Sequence, residues 1–509
     1  MRRVLVLIAL VTLAGAFGAL GAQGVSPGER FEYGVAAGDV RATSAHLWTR
    51  APSVGRVRLE VSTSRIFRPV FASHVGNAIA TNDRTVVVRA TRLRPATRYW
   101  YRFIQEGKGS PPGQFTTPPS AGADVKVRFA VSGDADATPG ADGQPAYNRF
   151  QVYARMAVER NDFNINLGDT IYSDSEVGDA PVARTVAEKW GKYRLGLTLS
   201  AARTLRASAG LYSHWDDHEF INDFSRPEHG DAIYAAGVKA FTDYAPVAKP
   251  SVTGLYRTFR WGKHVELFFL DERSFRSAKA TQVCVGDLAP TAPQAVRDAF
   301  ATLAPGLRNP VPPACLAAIN DPARTMLGTR QYAAFAKAIK ASKATWKVIV
   351  NEVPIQQYYA LPYDRWEGYA AERERLLRFL QASVKNVVFL TTDTHANFVN
   401  EVRYQTLGGP PEGSGMWEVV TGPVATNTFA KEIDGFLGTP GAGTAIGALF
   451  FKPPPPNGMG MRCAALDTYS YAQVTVSARR LTVAMKDAIG QPVREATGAA
   501  CAPLVLTAR

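Results

Sequence analysis

Cysteine is scarce in this chain: four occur among 509 residues, at Cys284, Cys315, Cys463 and Cys501. None sits in a C-x-x-C pair, which argues against a zinc knuckle. An even number of cysteines behind an export leader reads as two disulfides, and three pairings are open. Proximity in sequence favours Cys284–Cys315 and Cys463–Cys501. No compact Lys/Arg run is interleaved with aromatics, so specific nucleic-acid binding is not supported. Past the first residues no apolar run is long enough to span a bilayer, and the mature chain is expected to lack a transmembrane segment. Internal repeats are absent. Charged residues make up only 20% against 46% hydrophobic, a globular rather than disordered balance. Acidic residues are in the minority, 44 against 58 Lys plus Arg, for a net charge of +14. A basic surface attracts polyanions, anionic lipid, wall polymers and phosphorylated substrates alike, and charge does not choose among them.

The chain opens "MRRVLVLIALVTLAGAFGALGAQG". Arg2 and Arg3 form a basic n-region, Val4 to Leu20 an apolar stretch, and Gly21 and Ala22 a small-residue exit. Interspersed Ala and Gly favour a cleaved signal peptide over residues 1–22 rather than a membrane anchor. The mature protein is therefore expected to be exported, periplasmic or extracellular. Residues 23–118 read as a small all-β sandwich domain, with short alternating strands such as "RVRLEVST", "RTVVVRAT" and "TRYWYRFI". "LRPATRYWYRF" resembles the end of a fibronectin- or immunoglobulin-like domain. "TTPPSAGAD" reads as a linker. From residue 125 to 509 strand-like and helix-like runs alternate, which predicts an α/β layered fold with buried strands. Helices are expected near 146–159, 185–208, 231–244, 330–340 and 367–383. Residues 277–328, rich in proline and holding two cysteines, read as a disulfide-braced insertion. "SYAQVTVSARRLTVAMKDAIG" reads as a hairpin closing the core sheets.

Several predicted strands end alike. "FAVSGDAD" delivers Asp134 and Asp136, and "NINLGDTIY" delivers Asp169 and Tyr172. "LYSHWDDHEFIND" delivers Asp216, Asp217, His218, Glu219 and Asn222, and "VVFLTTDTH" delivers Asp393 and His395. The carboxyl ends of strands in an open α/β sheet form one rim, where ligands bind. Carboxylates crowded there would repel each other unless bound cations offset them. Two metals about 3.5–4 Å apart suit this donor set. A phenolate from Tyr172 is a hard, anionic donor favouring a trivalent ion such as Fe³⁺, and His395 adds a borderline nitrogen. Gly133 and Gly168 would let the backbone turn sharply so that each Asp points inward.

In this order the motifs resemble the alkaline phosphatase D family of secreted phosphodiesterases and phosphatases, within the calcineurin-like metallophosphoesterases. The resemblance runs from "FEYGVAAGDVRATSAHLWTRA" through "RFAVSGD", "NLGDTIYSD", "WDDHEFIND", "FFLDERSFR", "WKVIVNEVP" and "FLTTDTHANF" to "WEVVTGPV". It implies an αββα sandwich behind the β-domain. It also implies a binuclear metal centre, Fe³⁺ plus a divalent ion (Ca²⁺, Mn²⁺, Mg²⁺ or Zn²⁺). Carried over, Asp169 would bridge the metals and Tyr172 would hold the ferric ion. Asp393 and His395 would be further ligands, and Asp217 or Asn222 would supply another. One position departs from the family: its first strand typically ends in a cysteine ligand, and here Asp134 stands there, a harder donor that weakens the iron assignment. Asn351 and Asn397 fall near further polar positions of the superfamily.

The implied chemistry is hydrolysis of a small or polymeric phosphate ester by a metal-activated hydroxide. His218 would protonate the leaving group. Arg273 or Arg276 would clamp a phosphate oxygen, unless either is spent on a salt bridge to Asp271 or a neighbouring carboxylate. Two alternatives stand beside it: a phospholipase D-like diesterase of the same family, and a metal-stabilised surface-binding protein without turnover.

Overall fold

The protein is seen here in a computed structural model that describes residues 31–509; the expected leader lies outside them. Three central strands, Val127–Ser132, Phe163–Leu167 and Gly210–His214, run parallel, with Phe163 opposite both Phe129 and Gly210. Phe163–Leu167 and Gly210–His214 are buried at every position, as parallel strands covered on both faces must be. They sit in a nine-stranded sheet, flanked on one side by Ser470–Val476, Arg480–Asp487 and Leu504–Thr507. The expected final hairpin is thus present, but Leu504–Thr507 lies outside it at the edge.

A seven-stranded sheet runs in the order Arg257–Trp261, Val265–Phe269, Trp346–Val350, Val387–Thr391, Glu412–Val420, Asn397–Gln405 and Cys463–Ala465. One apolar cluster joins Phe129, Val131, Ile165 and Leu167 of the first sheet to Leu267, Val348, Val350 and Leu390 of the second. The sheets therefore pack face to face. Residues of the alternate parity point outward. Ala130 and Leu211 meet Met156, Leu205 and Phe241 of helices on one side. Phe268, Ile349 and Phe389 meet Phe335, Ile339, Leu376 and Leu380 on the other. Period-two alternation between two covered faces yields four layers, αββα.

The expected separation of residues 23–118 is crossed by backbone pairing. Val35–Arg41, Ser44–Arg50 and Thr85–Thr91 extend the nine-stranded sheet, with Val35–Arg41 beside Gly210–His214 and Ala37 opposite Gly210. Gly55–Ser62, Ala72–Ala78, Arg98–Gln105 and two short strands form a five-stranded sheet over them. Its Leu59, Tyr99, Tyr101 and Phe103 share the central cluster with Phe129. The predicted helix 185–208 breaks at Leu199, which is extended, into Val186–Thr198 and Ser200–Ser208. Both favoured disulfides, Cys284–Cys315 and Cys463–Cys501, are formed. A helical stretch over Phe429–Phe451 was not legible in the sequence pattern.

Candidate metal centre

The tips of four strands converge on one cavity of about 400 Å³. Asp169, Tyr172, Asp217, His218, Asn222, Asp393 and His395 line it. Asp134 lies buried beside them, with Oδ1 accepting the Asp393 amide at 3.3 Å. Donor atoms of Asp134, Asp169 and His395 lie within 4.8 Å of one another, and so do those of Asp169, Asp217 and His218. Asp169 belongs to both triplets. A further triplet joins Asp216, Asp217 and Asp393.

Backbone geometry aims these groups. Asp134, Asp169, Asp393 and His395 all adopt positive φ, at 62°, 47°, 66° and 53°. Four non-glycine residues in the left-handed region on one rim are strain concentrated at a site. Gly168 also has positive φ, and a Cβ there would meet the Asp216 Cβ at 2.4 Å. At Gly133 the requirement is proximity rather than a turn, since a Cβ would sit 2.4 Å from the Leu167 carbonyl.

The "DDHE" run divides its labour. Asp217 and His218 face the cavity. Asp216 turns back to the Arg273 guanidinium. Glu219, fully buried, accepts the amides of Asp169 (3.1 Å), Thr170 (2.7 Å) and Asp216 (2.8 Å), tying two strand ends together. Among these four, sequence reasoning missed Glu219 as the tie. His218 stacks on the Tyr172 ring at 4.1 Å between centroids, and its Nδ1 meets Asp174 Oδ1 at 2.7 Å. The Tyr172 hydroxyl meets His395 Nε2 at 2.9 Å, and the other ring nitrogen of His395 meets Glu432. Asp174 and Glu432 thus orient the two imidazoles, roles that single-residue spacing does not reveal.

The donor set fits cations. Asp134 Oδ2 is buried with no hydrogen-bond partner. Burial and then mutual repulsion hold Asp169 well above the usual carboxylate range. Burial does the same at Asp393, with Asp216 adding to it. Unpartnered buried carboxylate oxygen is costly unless something positive meets it.

Comparison with known proteins identifies the family. The family model "PhoD-like phosphatase" matches residues 140–451, and that of the family's N-terminal domain matches residues 19–119. The chain belongs to the PhoD-like phosphatase family. Alkaline phosphatase D of Bacillus subtilis (strain 168) is 27% identical over 421 residues, which cover 73% of this chain and 65% of that protein. The chain thus aligns with just under two thirds of that relative's length. A solved structure of PhoD superposes with TM-score 0.72 at 21% identity, covering 94% of this chain and 89% of the other. A purple acid phosphatase from yellow lupin (Lupinus luteus) seeds gives TM-score 0.56 at 13% identity over 93% of this chain and 74% of its own. The fold is metallophosphoesterase-like.

Within this PhoD-like site one expectation is corrected. Arg276 does not reach the cavity. Its guanidinium is buried against Asp364, 2.8 Å from the carboxylate, and donates to the Tyr369 hydroxyl at 3.2 Å. Burial between aromatic and acidic neighbours spends the charge a phosphate clamp would need. Arg273 likewise lies behind the ligands, paired with Asp216, Asp364, Asp393 and Asp217. The neighbour engaged by both arginines is Asp364; Asp271 instead accepts from Leu255, Ser274 and Trp215. Asp136 accepts from Thr138 and Ser175. Asn397 ties Gly422, Thr468 and Ser470. Asn351 is buried with both amide atoms unpartnered.

The electrostatics give a pH prediction for metal-free PhoD-like protein. Burial opposes charging of His218, but Asp217 and Asp174 outweigh it and lift its pKa to about 9; Glu432 and Asp134 do the same for His395, also to about 9. A raised pKa means stabilisation that is complete below the unfolded histidine value and is lost as pH rises through about 9. The buried carboxyls with raised pKa act in the same direction over a lower range. Metal-free protein should therefore melt progressively lower from about pH 5 to pH 9, and saturating metal should flatten the trend. Calorimetry with and without chelator checks it; a metal-free midpoint that rises across that range contradicts it.

Proposed function

We propose that this chain is an exported, metal-dependent phosphoesterase acting on phosphate mono- or diesters. Asp134, Asp169, Tyr172, Asp217, Asn222, Asp393 and His395 would hold a binuclear centre, and Asn351 is a candidate outer contact. The observation that carries the reading is Asp169's place at one cavity, with its carboxylate beside Asp134 and His395 in one donor group and beside Asp217 in another. A carboxylate shared this way is the donor a metal pair needs between its ions. Fe³⁺ with Ca²⁺, Mn²⁺, Mg²⁺ or Zn²⁺ is the proposed pair, with Tyr172 on the ferric ion.

Bound there, two cations would neutralise phosphoryl oxygens and bring the pKa of a water near neutrality. The chain's own residues supply the rest. Asp174 fixes the His218 ring through Nδ1, which leaves Nε2 for the leaving group. The Asp174 carboxylate at Nδ1 favours the charged ring, so His218 could donate a proton from Nε2 to a departing alkoxide. Tyr172, stacked on the same ring, holds it at the ligand side. Glu432 sets His395 so that Nε2 faces inward.

Metal content by mass spectrometry, with hydrolysis of bis-p-nitrophenyl phosphate and p-nitrophenyl phosphate, tests the proposal. Visible absorption that disappears in Tyr172→Phe would identify a ferric phenolate. A Tyr172→Phe protein that keeps the band would move the iron elsewhere. Purified protein with stoichiometric metal but no turnover of either ester would favour the surface-binding reading.

A further inference from the structure

Beside the metal centre lies a second groove of about 150 Å³. Its lining is almost wholly apolar, and Leu361 and Phe429 belong to both cavities. The helix Phe429–Leu437 serves both sites. Glu432 on it faces His395, while Phe429, Ile433, Phe436 and Leu437, spaced as one helical face, line the groove.

The polar groups in the groove are already engaged. Terminal nitrogens of Arg297 bind both Asp287 oxygens and the carbonyls of Ala289 and Asn309. Its remaining Nε is shut off from solvent. The Tyr359 hydroxyl accepts the amides of Thr406 and Leu407. An occupant finds no hydrogen bond to make there. Around the mouth, Phe436 is 65% exposed, Leu361 47% and Leu303 45%. Leu361 also stands at φ 45°, a conformation that disfavours a side-chain-bearing residue. An exposed leucine held in that conformation on the wall between two cavities has no role in the core. The size also discriminates: 150 Å³ is well below the roughly 300–1,000 Å³ of a drug-sized site.

We propose that this groove takes a single alkyl chain carried by the phosphate ester, so that the preferred substrate is an amphiphile with its phosphate at the metal centre. The inference rests on the phosphoesterase reading for where the phosphate sits. Burying each methylene contributes ~0.8 kcal/mol, about fourfold in affinity, until the groove is full.

The test is calorimetric titration of methyl, butyl and octyl phosphate into the full-length mature protein loaded with metal, together with turnover of the matching alkyl p-nitrophenyl diesters. Affinity should rise by at least about tenfold from methyl to octyl, with an increasingly negative heat-capacity change. KM for the diesters should fall in parallel. Ala360→Trp, which plugs the groove from an exposed position, should collapse the octyl-to-methyl ratio to about one. Phe436→Ser, at a mostly exposed site, should reduce it without unfolding the chain. Equal binding of all three phosphates overturns the groove and leaves the esterase reading standing. Chain-length-dependent binding without hydrolysis of any of the alkyl phosphates or diesters keeps the groove and sinks that reading. A dimer that buries Phe436 and ignores octyl phosphate assigns the face to a second copy and overturns the proposal.

Discussion

Asp169→Asn is expected to strip the protein of both ions and to lower kcat/KM on a phosphodiester by at least about a thousandfold, ~4 kcal/mol of transition-state stabilisation. The magnitude follows from position. Asp134 and Asp217 each belong with Asp169 to a different donor triplet, so loss of either one leaves the other triplet intact. Asp169 stands in both. Its Oδ1 also accepts the His218 amide at 3.1 Å, so the change reaches the proposed acid as well. The amide isostere preserves shape, and a folding defect should be small. Metal-free Asp169→Asn should even be as stable as the parent, because it removes a buried carboxyl whose ionisation is opposed by burial and by four neighbouring acids. The decisive comparison is metal stoichiometry: a variant retaining two ions and near-parental turnover would show that the centre is built on other residues.

Much of this was readable beforehand because strand ends are local. A glycine after an apolar run, followed by Asp, marks where a buried strand reaches the rim at Asp134 and Asp169, while Asp217 and Asp393 follow their apolar runs through Trp215-Asp216 and Thr391-Thr392. The layered core was legible for a similar reason, since continuous apolar runs such as Val387–Thr391 can only belong to strands covered twice. What escaped was set by distant pairing. Nothing in "EYGVAAGDVR" says that Val35–Arg41 will lie parallel to a strand some 170 residues later rather than in a domain of its own. Arg276 misled because "LDERSFR" places two arginines at a strand end, and only the arrival of Asp364 from another loop decides that both face carboxylates behind the site. Glu432 escaped because the helix carrying it has no partner in sequence near His395. Glu219 was visible at the strand end but without a role, because nothing in the sequence tells that its two oxygens are spent on three backbone amides.

Arg273→Met should be the most damaging substitution for the fold, at ~3–5 kcal/mol in metal-free protein. The Arg273 side chain is fully buried, and its guanidinium meets Asp216, Asp364 at 2.7 Å, Asp393 at 3.2 Å and Asp217 at 3.6 Å. Removing it leaves Asp216, Asp217 and Asp393 facing one another without a fixed cation, with Arg276 still paired to Asp364, and methionine fills the volume without answering the charge. The loss is read as a fall in denaturant midpoint at constant m-value. Two controls separate charge from packing. Asp216→Asn in the Arg273→Met background removes the most deeply buried of the four acids and should recover a large part of the loss, a coupling that a double-mutant cycle measures. Saturating metal should recover a different part, because ions held by Asp217 and Asp393 would neutralise those two while Asp216 stays without a cation of its own. If Arg273→Met costs less than about 1 kcal/mol, or if neither control recovers stability, the arginine is not what keeps this acidic rim together, and the protonated state of the carboxyls must be doing so instead.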